Sequence, residues 1–186
     1  TVLDGCIYVS ASLEHPGVLV QHGPILRVVF GPRDPSYISP ILSAIQSDLC
    51  ESGIDGVLST HIQRDALEKF SYVSPIGAAG VYLHAVAGDF QKEGPARELF
   101  KSMIREISAL AAAMGYPFEK DYVKINLEIL SNLSADATTS MQRDIMEGKP
   151  SELDGLVMEP LRLAKKYSVS MPCYEEVAKV LCPLEF

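Results

Sequence analysis

The 186-residue sequence has no tryptophan and only four histidines and four cysteines. Cys6, Cys50, Cys173 and Cys182 lie far apart or, for the last pair, eight residues apart. That spacing fits neither a C-x-x-C pair nor a dense disulfide framework, so reduced thiols in a cytoplasmic protein are expected. His15, His22, His61 and His84 form no H-x-x-x-H pair, and no metal site is expected. Basic residues are few and scattered: 16 Lys and Arg stand against 24 Asp and Glu, a formal net charge of −8. Nothing prepares a stripe for phosphate backbones, so nucleic acid and anionic membrane are poor partners. No apolar run reaches the ~18 residues of a membrane span, and no signal peptide is read at the start. G-x-G-x-x-G, G-x-x-x-x-G-K-[ST] and G-x-S-x-G are all missing. The nearest glycine pattern, Gly77 to Gly80, follows a helix rather than a strand, and no cysteine has an obvious histidine partner.

What is present is an ordinary globular composition, 47% hydrophobic and 22% charged. GCIYVSASLEHPGVLVQHGPILRVVFG, residues 5–31, alternates β-branched or aromatic residues with small polar ones. Pro16-Gly17 and Gly23-Pro24 supply turns, so two or three short strands are expected. Strands that few close no core alone, so this segment should complete a larger sheet or lie against helices. The chain opens at Thr1, inside an apparent strand, which points to a fragment.

The pattern changes at the turn GPRDPS, and the sequence reading divides the chain there, into residues 1–33 and 34–186. Residues 38–53 read as a helix ended by Gly53, and IDGVLST as one more short strand. From Thr60 everything is helical: Thr60 and Gln63 make a T-x-x-Q capping box. The helix runs through Leu67, Phe70 and Val73 to Pro75, which removes a donor and clashes with the Ser71 carbonyl, so a kink or break is expected. The small residues Gly77, Ala78, Ala79 and Gly80 invite close helix contact. After Pro95, Phe100, Met103, Ile104, Ile107, Ala111 and Met114 share one face up to Gly115, a face suited to a core or to a homodimer. Further helices are read over 122–133, 138–147, 151–167 and 174–181. Gly148 and Pro150 stop one of these, and Ser151 to Asp154 is an S-x-x-D box that starts the next. The fold class is mainly α, a helical bundle preceded by a short β segment.

Three side chains invite chemistry. Lys69 lies between Leu67 and Phe70 on an apolar helix; either its stem snorkels to water, or it faces a cleft and donates a proton to a carbonyl oxygen. Glu152 at a helix start is explained without function by the macrodipole. Ser140 is most simply a cap, although a helix start is also where N–H groups can hold a carboxylate.

ALEKFSYVSPIGA (66–78), TTSMQRDIMEGKPSELDGLVMEPLRLAKKYSVSMP (138–172) and the strand region ending RVVFGPRD together resemble the C-terminal part of the ketopantoate reductase family, the 2-dehydropantoate 2-reductases. The resemblance covers nearly the whole chain. It implies a helical domain like the C-terminal domain of 6-phosphogluconate dehydrogenase, after the last strands of a Rossmann-type domain that is otherwise missing and would bind NADPH. It also implies that Lys69 is the general acid, that Glu152 orients substrate and lysine, and that Ser140 binds the hydroxyl or carboxylate end of a small 2-oxo acid, ketopantoate in the first instance. Substrate-binding asparagines of the family fall on Val73, Gly77 and Ala137, which leaves a more apolar pocket suited to a related acid with a bulkier apolar group. A helical dimerisation or ligand-binding module without catalysis is the competing reading.

Overall fold

The alternating stretch near the start forms two long strands rather than several short ones: β1 (Asp4–His15) and β2 (Val18–Gly31) pair antiparallel across the expected Pro16-Gly17 turn, where Gly17 has φ 87°. The second expected turn, Gly23-Pro24, does not reverse the chain. Val9 pairs with Leu26 and Ala11 with Gln21, so residues 22–25 bulge opposite Ser10 inside a continuous β2. Proline lacks the N–H that a regular ladder needs there, and a bulge accommodates it.

The computed structural model describes residues 2–182 and separates into two units, one up to Ala66 and one from Leu67. In the first unit α1 (Pro40–Glu51) is followed, past Gly53 at φ 81°, by β3 (Asp55–Leu58), which pairs parallel with the end of β2. Arg27 to Phe30 thereby stand opposite Asp55 to Leu58. Cys6 and Val29 on the sheet and Ile62 form a small buried cluster. The unit boundary thus lies beyond the GPRDPS turn, because β3 completes the sheet and α1 packs on β3: a Cβ on Gly56 would lie 2.9 Å from Leu49 Cβ.

A single helix, α2 (Ile62–Leu83), carries the chain from one unit into the other. The expected Thr60–Gln63 box is replaced at its start: Ser59 Oγ accepts the His61 N–H at 2.9 Å, and the Gln63 amide donates to Arg33 O at 3.0 Å. Pro75 does not break α2. Its missing N–H leaves Ser71 O without the usual partner, and Asn126 Nδ2 donates to that oxygen at 3.0 Å and to Ser71 Oγ at 3.1 Å. Asn126 is 1% exposed, so both bonds are out of water.

The second unit continues with α3 (Ala87–Gln91), α4 (Pro95–Ala113), α5 (Tyr122–Ser131), α6 (Ser140–Met146), α7 (Glu159–Tyr167) and α8 (Pro172–Leu181). α4 supplies its core: Phe100, Met103, Ile104, Ile107 and Ala111 are buried, as the periodicity predicts, Leu110 is buried with them, and Met114 is half-buried at the end. Each large side chain among them contributes about 1.5–3 kcal/mol relative to exposure. Phe100 meets Tyr72 and Phe90 edge-on at 6.0 and 5.9 Å. Glu106 of α4 caps α8, accepting the N–H groups of Cys173 (2.8 Å) and Tyr174 (3.1 Å). Burial, with Glu106 beside it, pushes the Cys173 thiol up to about 11, so it carries little thiolate at neutral pH. Among the described residues no disulfide joins the cysteines. Among the described residues no helix is long and apolar enough to cross a membrane.

Candidate active site

Lys69, Val73 and Gly77 recur every four residues on α2 and share one face of it. Lys69 and Val73 are half-buried and Gly77 is buried. At 1.5 Å per residue, Lys69 stands roughly 12 Å along the axis from Gly77, room for a small acid between them. What lies over this face is read from Gly77: a Cβ there would sit 3.1 Å from Met141 Cε, and 3.9 Å from both Thr139 Oγ1 and Leu156 Cδ1. The helix that bears Lys69 therefore abuts the start of α6 and the turn that follows Glu152.

The start of α6 is built by a capping box, but its cap is Thr139 rather than Ser140. Thr139 Oγ1 accepts the Gln142 N–H (3.2 Å), and Gln142 Oε1 accepts the Thr139 N–H (2.9 Å). Ser140, the first helical residue, is exposed. Ala137 is half-buried, and its carbonyl accepts the Ala87 N–H at 2.9 Å, tying the approach to α6 against α3. α6 ends as its glycine predicts: Gly148, at φ 66°, donates to Ile145 O, and Lys149 N–H donates to Asp144 O, a Schellman arrangement.

The expected Ser151–Asp154 box does not form. Both Asp154 oxygens are taken by Arg162, at 2.9 and 2.8 Å, and the chain enters the next helix through a π-helical turn, Asp154–Met158. Glu152 is exposed just ahead of that turn, and its carbonyl accepts the Leu156 N–H at 2.8 Å. A π turn displaces carbonyls from the i→i+4 ladder, and such turns recur at functional sites. Here Ser74 of α2 donates to Leu156 O at 2.6 Å, and Tyr174 Oη lies 2.5 Å from Ser74 Oγ. The serine hydrogen goes to the carbonyl, so Tyr174 is the donor to Ser74. Burial holds the Tyr174 phenol well above its ordinary pKa. This three-part chain pins the segment after Glu152 to the helix of Lys69.

Beside the start of α6 a cavity of about 160 Å³ opens. Ile76, Ala85, Ala87, Phe90, Leu133 and Ala137 form its apolar wall, with Thr138, Thr139 and Gln142 at one side. Gln142 is held from both sides: one Nε2 hydrogen goes to Ala85 O at 2.8 Å while Oε1 accepts from Thr139. Tyr72 adds its ring to the lining, but its hydroxyl is covered by protein with no hydrogen-bond partner, and burial pushes its pKa up to about 12.

Ser74, Gln142, Tyr174 and this cavity escape the sequence reading. Thr139-x-x-Gln142 is itself a legible T-x-x-Q box, and Ser74 is a lone hydroxyl beside a mid-helix proline; Tyr174 and the cavity left no local signal.

A mainly helical unit following a small sheet is a fold that this chain shares with solved oxidoreductase structures. Residues 61–185 match the family model "Ketopantoate reductase PanE/ApbA C terminal", and the chain belongs to that family. An uncharacterized oxidoreductase of Bacillus subtilis, YkpB, is 22% identical over 95% of this chain and 58% of its own length. A 2-dehydropantoate 2-reductase of Aquifex aeolicus is 26% identical over 83% of this chain and 51% of its own. The chain therefore spans a little over half the length of these relatives. Among solved structures, 2-dehydropantoate 2-reductase from Geobacter metallireducens superposes with a TM-score of 0.86 at 22% identity, over 96% of this chain and 59% of that one. D-mandelate dehydrogenase with NADH and anilino(oxo)acetate does so with a TM-score of 0.80 at 18% identity, over 95% and 58%.

Proposed function

We propose that this chain is the substrate-binding and catalytic part of an NADPH-dependent reductase of a 2-oxo acid, of the 2-dehydropantoate 2-reductase kind. The observation that carries the reading is the packing around Gly77: one helix face bears Lys69, and at Gly77 it meets the start of the Ser140 helix and the turn after Glu152. Reduction of a ketone builds negative charge on its oxygen. An ammonium within hydrogen-bond reach stabilises that charge more in the transition state than in the ground state, and gives it a proton. Lys69 is assigned that role, Glu152 the orientation of substrate and lysine, and Ser140 the carboxylate or hydroxyl end of the substrate.

The described residues do not themselves fit a dinucleotide. The nearest glycine pattern, Gly77 to Gly80, lies in mid-helix and is covered by Met141 and Gln142, which leaves no cradle for a pyrophosphate. NADPH, when bound by the rest of the whole protein, supplies hydride.

Ketopantoate is the substrate that the family resemblance implies. A 2-oxo acid with a bulkier apolar group is favoured by Val73, Gly77 and Ala137, which offer no side-chain amide to hold a polar substituent. NADPH oxidation by the full native product, with ketopantoate and a panel of 2-oxo acids, tests the proposal. Turnover of any of them upholds it, and turnover of none refutes it.

A further inference from the structure

Resting on the reductase reading, we propose that Ser74 is a positioning residue of the reaction: through Leu156 it fixes where the chain carries Glu152 relative to the helix of Lys69. The cause begins at Pro160, which has no N–H to offer Leu156 O, the carbonyl it would serve in a regular i→i+4 ladder. Ser74 supplies a donor from α2 instead, with Oγ 2.6 Å from that oxygen. Tyr174 Oη, 2.5 Å from Ser74 Oγ, donates to the serine, whose own hydrogen goes to the carbonyl. Ser74 and Tyr174 are fully buried, so no water competes for these bonds.

Leu156 is held on its other side as well. Its N–H donates to Glu152 O at 2.8 Å, and its Cδ1 lies 3.9 Å from a Cβ on Gly77, three residues beyond Ser74 on α2. Two hydrogen bonds, one at each end of Leu156, thus lead from the Glu152 backbone to α2, five residues after Lys69. The carboxylate has no comparable support: Glu152 is exposed, and among the described residues no hydrogen bond or ion pair holds its side chain. Its placement is left to the backbone, and Ser74 makes the bond that ties this backbone to the lysine-bearing helix. Because Ser74 is fully buried, it acts through Glu152 rather than on a substrate. Misplacing a group by about 1 Å from a distant site can cost on the order of 10² in rate, so one hydroxyl has leverage here.

The test is a double-mutant cycle in the full native product, read as kcat/KM for reduction of the 2-oxo acid it turns over best, with each variant first shown to be folded by its urea midpoint. Ser74→Ala removes the donor to Leu156 O and is expected to lower kcat/KM by about 10- to 100-fold. In a Glu152→Ala background the same change is expected to cost less than about threefold, because the group it places is gone. Leu110→Ala, a buried substitution outside this chain of bonds, lowers stability and leaves kcat/KM unchanged, which separates positioning from general loosening. Ser74→Cys keeps the size with a weaker donor; it is expected to fall between serine and alanine, and it serves the same cycle if Ser74→Ala does not fold. Native kcat/KM in folded Ser74→Ala, or an equal loss with and without Glu152, overturns the inference and leaves the reductase reading standing. If the unmodified product reduces no 2-oxo acid, both fall together.

Discussion

Replacing Asn126 by alanine should destabilise the protein through a carbonyl 55 residues away in the chain. Pro75 cannot donate to Ser71 O, and the Asn126 amide takes over that role from the neighbouring helix, at 3.0 Å and 1% exposure. Without it, a buried acceptor is left unsatisfied, which costs about 1–3 kcal/mol, and the lost side-chain volume adds to that. We expect a total of about 2–4 kcal/mol, measured as the shift of the urea midpoint at constant m. The decisive comparison is a double-mutant cycle with Pro75→Ala. Alanine restores the N–H at position 75, so Ser71 O regains its helical partner, and Asn126→Ala should then cost about 1–2 kcal/mol less. Equal costs in the two backgrounds, within about 0.5 kcal/mol, would refute the idea that Asn126 substitutes for the missing donor.

Lys69→Ala in the full native product should cut turnover by about 10²–10⁴-fold with the urea midpoint little changed; near-normal turnover would remove Lys69 from the chemistry. Val73→Asn should lower KM for ketopantoate by adding an amide to the Lys69 face. Gly77→Asn should achieve less, because its Cβ would press on Met141 Cε at 3.1 Å, and unchanged KM in Val73→Asn would count against the apolar-pocket account. For Tyr72 the folded pKa, about 12, lies above the usual value of about 10, so its contribution is complete below the lower value and is lost as pH rises towards the upper. Tyr72→Phe should flatten that alkaline loss, leaving the share due to buried Tyr174, and should hold or raise stability at neutral pH because the hydroxyl has no partner. A loss above about 1 kcal/mol at pH 7 would show that the hydroxyl is bonded.

Much of the fold was legible because its signals are local. The face of α4, the glycines that end α1, α4 and α6, and the Pro16-Gly17 reversal each need only a few neighbouring residues to be read. The errors share a different origin. Gly23-Pro24 reads as a turn until β1 is laid alongside and shows one residue facing four. Pro75 reads as a break until Asn126 supplies the donor, and Ser151–Asp154 reads as a box until Arg162, eight residues beyond Asp154, claims both oxygens. In each case the local propensity was real and a partner from elsewhere in the chain outweighed it.

The same distinction governs the candidate site. The family resemblance nominates Lys69, Ser140 and Glu152, whereas local signals alone give them a snorkelling stem, a cap and a helix-dipole partner. What packs around them could not be read. The connection runs from Tyr174 Oη through Ser74 Oγ to Leu156 O, and Ser74 stands 100 residues from Tyr174 and 82 from Leu156. It forms at the π turn, where Leu156 O faces the hydroxyl that α2 presents. Such a turn has no advantage in isolation, since the α-helix satisfies the same groups with fewer residues per bond. Its presence after Glu152 implies that the surrounding packing determines the direction in which this segment enters α7. The backbone four residues after Glu152 is therefore tied to α2 and α8 through one serine on the lysine-bearing helix.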